Sequence, residues 1–111
     1  MALAKVKLSG STDGKPIIVG SSATTIHTVG ASLEEVWLWV ANVTGSDATL
    51  SILWGGTTDP DHYASKAMTI PANSGLMCVV PGIVLQNSLV VKALSGTASA
   101  LNIVGYALTG V

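Results

Sequence analysis

The chain has 111 residues with five lysines, no arginine and six acids, for a net charge of −1, and only 10% of its residues are charged, against roughly 25% in ordinary soluble domains. That length makes one domain, able to bury roughly two-thirds of the surface exposed by the unfolded chain, so folding requires neither a disulfide nor a metal. Without arginine or a basic stripe the chain is not expected to bind nucleic acid, and no apolar run approaches the ~20 residues of a membrane span.

The N-terminus MALAKVKLSG has no continuous apolar stretch of the kind a signal peptide requires. Synthesis in a cytoplasm without a secretory signal peptide is therefore expected. Residues 4–8 alternate Lys5 and Lys7 with Val6 and Leu8, the period of a strand. STDG at 11–14 is a turn, 16–19 a short strand, and the Thr-rich 23–29 another, because β-branched residues favour the pleated sheet. ASLEEV at 31–36 has a capping-box pattern, but it is at most a single turn before a β-run begins.

That run, EEVWLWVANV at 34–43, is the longest strand and is apolar on both faces. Val36, Leu38 and Val40 point one way; Trp37, Trp39, Ala41 and Val43 point the other. One apolar face suffices for a sandwich, so the second face is expected to meet another protein. TGSD at 44–47 reads as a hairpin turn into a strand ending at Trp54. The longest irregular stretch is 55–65. Strands then follow at 66–70, 76–80, 83–85, 88–94 and 100–108, with Pro81-Gly82 breaking the chain between two of them. Eight or nine short strands with brief turns predict a single all-β domain over 1–111, an antiparallel β-sandwich of jelly-roll type.

Chemistry-bearing residues are few. His27 lies in a Thr-rich strand and reads as half-buried, bonded to a neighbouring Thr or a carbonyl. Asp59, Asp61 and His62 offer oxygen and nitrogen ligands on a loop, but the spacing of a calcium loop is missing and no metal is assigned. Glu34 and Glu35 are adjacent on a strand and point to opposite faces, so they cannot converge on one bond. Cys78, the single cysteine, lies in the apolar run LMCVV and reads as a buried small hydrophobe. The sequon Asn42-Val43-Thr44 is incidental without secretion. No nucleophile–base set is present, so no enzyme activity, catalytic residue or cofactor is expected. Trp37, Trp39 and Trp54 have three readings: core filling, a subunit interface, or a platform for stacking sugars.

Several segments together resemble small β-sandwich virion proteins of tailed bacteriophages: KVKLSGSTDGKPIIV, TTIHT, EEVWLWVANV, LSILWGGTTDPD, TIPANSGLMCVVPG and LVVKALSGTASALNIVGYAL. The resemblance spans nearly the whole chain and consists of strands and turns, not catalytic signatures. It implies a structural protein of the capsid decoration or cement type, a homotrimer bound to the major capsid protein on the outer head surface. A glycan-binding module of a tail or fibre, directed at the host surface, is the alternative. The contacts expected are Lys5, Lys7 and Lys15 on a docking arm at 1–15, the three tryptophans, and Asp59, Asp61, His62 and Tyr63 on the long loop.

Overall fold

The computed structural model describes residues 3–111, so the first two residues of the expected arm lie outside it. Nine strands follow in order: β1 (Ala4–Lys7), β2 (Ile17–Ile18), β3 (Thr24–Thr28), β4 (Glu34–Asn42), β5 (Ala48–Trp54), β6 (Tyr63–Ile70), β7 (Met77–Leu85), β8 (Val90–Ser95) and β9 (Leu101–Thr109). They form two antiparallel sheets. A front sheet runs β1-β9-β4-β7, with β2 also pairing β9, and a back sheet runs β3-β8-β5-β6.

The pairings are nested. β5 pairs with β6, β4 with β7, β3 with β8, and β1 and β2 together with β9. This is one long hairpin rolled up, so that successive pairs fall in alternate sheets. Closing the roll adds the β4–β9 and β5–β8 ladders. The result is the jelly-roll sandwich expected from the strand count.

The period of two on each strand fills the space between the sheets. Val36, Leu38 and Val40 of β4 meet Leu50 and Ile52 of β5, Val91 and Ala93 of β8, and Ile103 and Ala107 of β9, all essentially inaccessible. Each large aliphatic buried in this way is worth about 1.5–3 kcal/mol relative to exposure.

Three local expectations are corrected. TGSD does not close a hairpin: β4 lies in the front sheet and β5 in the back one. Asn42, 1% exposed, explains the crossing. Its Nδ2 donates to the carbonyls of Ser46 (2.9 Å) and Ile70 (3.1 Å), and its Oδ1 accepts from Thr44 N (2.9 Å). These bonds tie the β4–β5 crossing to the end of β6, and they occupy the amide that a glycan would need. Second, β7 runs through Pro81-Gly82. Pro is tolerated there because β7 is an edge strand with shifts of register beside it. Third, β6 begins at Tyr63, inside the stretch expected to be irregular. Residues 4–7 form β1 against the end of β9, in keeping with the strand expected over 4–8. Residues 31–32 bend without forming a helical turn.

Leu38→Ala deletes a wholly buried side chain at the centre of the core. The expected loss is about 2–5 kcal/mol of folding free energy, read from urea unfolding of the variant and the unmutated chain.

Candidate functional site

The ten residues expected at contacts fall into three places. The first is the outer face of the front sheet. Cross-strand partners share a face, and the register sets Glu35, Trp37 and Trp39 of β4 beside Leu108, Tyr106 and Val104 of β9. Lys5 and Lys7 of β1 continue the same rows. The three aromatic rings stack in a cluster: Trp37 to Trp39 at 6.0 Å, Trp37 to Tyr106 at 6.4 Å and Trp39 to Tyr106 at 6.0 Å between centroids. Lys5 Nζ lies 4.8 Å from the Tyr106 centroid, a cation–π contact. Trp37 Nε1 donates to Glu35 Oε2 at 2.8 Å, which fixes the ring. Gly82 lies beneath it: a Cβ there would come 2.8 Å from the indole, and its φ of +77° suits glycine. Trp37 and Trp39 are therefore surface residues, half-buried by one another, and do not fill the core. Cys78 pairs opposite Trp39 and is exposed, correcting its expected burial. An apolar run on an edge strand is covered on fewer sides than one in the middle of a sheet. Ile18 and Val84, 60% and 46% exposed, extend the apolar rim.

The second place is the open edge of the sandwich, where β6 and β7 end their respective sheets. A cleft of about 520 Å³ opens there, lined by Trp54, Asp61, His62, Tyr63 and Ser65 on one side and Val79, Val80, Pro81 and Ile83 on the other. The long β5–β6 loop is internally bonded. Trp54 N donates to His62 O (2.7 Å), His62 N to Thr58 O (2.8 Å), and Thr58 N to His62 Nδ1 (3.0 Å). Because Nδ1 accepts, the neutral ring carries its proton on Nε2. The imidazole lies against Gly56, where a Cβ would come within 2.6 Å of it. Trp54 Nε1 donates to Val84 O at 3.1 Å, bridging the two sheets. Asp59 turns away from the cleft to Lys66, with both oxygens 3.0 Å from Nζ. That bond, and then the carboxylate's charge, raise Lys66 above the usual lysine range. Both side chains are more than half exposed, so the pair adds little stability. Asp59 is thereby separated from Asp61 and His62. Among the described residues, no three His, Cys, Asp or Glu side chains converge as metal ligands would.

The third place is the loop between β1 and β2, where Lys15 is exposed. Lys7 Nζ donates to Ser11 O (2.9 Å), holding that loop against β1.

His27 has no part in these surfaces. It is 3% exposed. Its Nε2 lies 2.8 Å from Glu34 Oε1, and its Nδ1 accepts from Ser9 N at 3.0 Å. Glu34 Oε2 in turn accepts from Gly30 N at 2.8 Å. The half-buried His bonded to Thr or a carbonyl is thus replaced by a buried His–Glu pair that clamps the segment after β1 to β3 and β4. Its partner could not be named from sequence, since Glu34 and His27 meet only through the bend between the strands. Tyr106 and Ser65 were missed for the same reason: the sequence shows which residues share a face, but not which strand lies beside which.

His27→Ala leaves the Glu34 carboxylate buried without its partner. Loss of about 1.5–3 kcal/mol is expected, as for a lost hydrogen bond to a buried charged group, again measured by urea unfolding.

Comparison with family models, with curated proteins and with solved structures finds no match for this chain.

Proposed function

We propose that this protein is a non-enzymatic virion structural protein of a tailed bacteriophage, a capsid decoration protein that sits on the outer head surface as a homotrimer and stabilises the head. The observation that carries the reading is the aromatic face of the front sheet. Trp37, Trp39 and Tyr106 form a preassembled apolar surface with Glu35 and Lys5 as its immediate charges. Interfaces that bind well place aromatic residues centrally and keep charges few, because each charge must be desolvated. A second copy laid on this face would hide it and leave the loops free for the major capsid protein. A trimer touching several capsid subunits gains effective concentration, so each contact need be only modest. The resemblance of the strand and turn segments to phage virion proteins supports the same reading.

Lys15 on its exposed loop is the positive group best placed to meet an acidic capsid surface, since Lys5 belongs to the aromatic face. Removing residues 1–15 would also strip β1 from β9, so charge reversal is the cleaner variant. The second reading, a tail or fibre module that binds host glycans, would leave the aromatic face uncovered.

The test is cosedimentation with purified phage heads that lack the protein. The unmutated chain is expected to bind saturably, and more weakly as salt rises. Lys15→Glu is expected to weaken binding while leaving the oligomer intact. Trp39→Asp is expected to abolish assembly and binding together. Failure of the unmutated chain to bind heads, or its location on tails by immunogold labelling, would overturn the capsid assignment.

A further inference from the structure

We infer that the cleft between β6 and β7 is a saccharide-binding site that takes a neutral hexopyranose. It is separate from the aromatic face of the front sheet and does not rest on the head-binding reading.

The cleft has the size of a small-ligand site: about 520 Å³, within the roughly 300–1,000 Å³ typical of such sites. Its two walls differ in kind. Val79, Val80, Pro81 and Ile83 form an apolar wall on β7, while Asp61, His62, Tyr63 and Ser65 form a polar one. Trp54 adds aromatic surface, whose electron-rich face attracts the slightly positive C–H groups of a pyranose ring; one face of Tyr63 is taken by Lys66, whose Nζ lies 5.1 Å from the ring centroid.

The polar wall has unused hydrogen-bonding capacity. Among the described residues, the Asp61 carboxylate, the Tyr63 and Ser65 hydroxyls and His62 Nε2 make no hydrogen bond within the protein, and none of these atoms is buried. Together they supply a charged acceptor, a ring N–H donor and two hydroxyls able to act either way. That set suits vicinal sugar hydroxyls, each of which both donates and accepts. A purely apolar ligand would leave these groups desolvated and unpaired.

The wall is also preorganised. His62 is held by Thr58 N on its Nδ1, by Gly56 beneath its ring and by two backbone bonds through its own N and O, which leaves Nε2 as the outward donor. Trp54 is held by Val84 O. Little entropy remains to be lost when a ligand binds.

Charge selects the class of sugar. Asp61 is the one charged side chain lining the cleft; Lys66, whose Nζ lies over the Tyr63 ring, has its charge balanced by Asp59, so the net charge beside the cleft is that of Asp61. A uronic or sialic acid would meet an uncompensated negative charge, whereas a neutral hexose would meet only an acceptor.

The experiment is a titration of the isotope-labelled full chain, followed by amide and indole NMR shifts. The probes are glucose, galactose, mannose and N-acetylglucosamine, with glucuronate as the anionic comparison. At least one neutral sugar is expected to give saturable shifts confined to Trp54, residues 61–65 and residues 79–83. Glucuronate is expected to bind more weakly or not at all. Asp61 is exposed and makes no bond within the protein, so Asp61→Ala keeps the fold, seen as an unchanged spectrum elsewhere. It is expected to weaken binding by about tenfold or more, as for loss of a charge-assisted hydrogen bond. Four results would overturn the site: no saturable shifts in the millimolar range, shifts centred on Trp37, Trp39 and Tyr106 instead, equal binding of glucuronate, or unchanged affinity in Asp61→Ala. Head binding and sugar binding use different variants and readouts, so either can fail alone.

Discussion

Strand β4 carries the constraint on which the rest depends. It is flanked by β7 and β9, so its backbone groups are used on both edges. Its inner side chains, Val36, Leu38 and Val40, are fully buried against the back sheet. A strand committed in three directions has one free surface, and on this strand that surface holds Trp37 and Trp39. A solvent-facing position in an antiparallel sheet usually takes a polar residue. Here the rings instead gather Tyr106 from β9 and Lys5 from β1 into one cluster, with Glu35 and Gly82 fixing Trp37. The order of this face is set within one chain, before any partner arrives. That is the property an assembly surface needs, since less freedom remains to be lost on association.

The faces of the strands were legible in the sequence; their neighbours were not. Period two gave the inward and outward sets on β4 correctly, because successive side chains must alternate. It also gave the all-β sandwich and its strand count. It could not say that TGSD sends the chain to the other sheet, since Gly, Ser and Asp suit a crossing as well as a tight hairpin. The deciding group was Asn42, whose side chain bonds across to the end of β6, a contact distant in sequence. Pro81 likewise reads as a break until β7 is known to be an edge strand. Cys78 reads as buried for the complementary reason: hydrophobic neighbours along the chain do not show whether anything covers them.

The candidate site divides in the same way. Asp61, His62 and Tyr63 are consecutive and reach one cleft with Trp54, to which their loop is bonded at its base. Trp54 is parted from Trp37 and Trp39 because it belongs to the other sheet. The lysines near the N-terminus scatter once β1 joins β9. Lys5 goes to the aromatic cluster, Lys7 to the Ser11 carbonyl and Lys15 to an exposed loop. The jelly roll thus carries two unlike surfaces, a flat aromatic face on the front sheet and a cleft at the edge of the sandwich.

The aromatic face is central to this picture, and its coverage by a second copy of the chain can be measured without mutation, phage or ligand. Sedimentation velocity of the purified chain, from low to high micromolar concentration, reads the assembly state directly. The proposed homotrimer predicts a discrete trimeric species that persists on dilution. A single monomeric species across the whole range would show that Trp37, Trp39 and Tyr106 stand uncovered, and would contradict it.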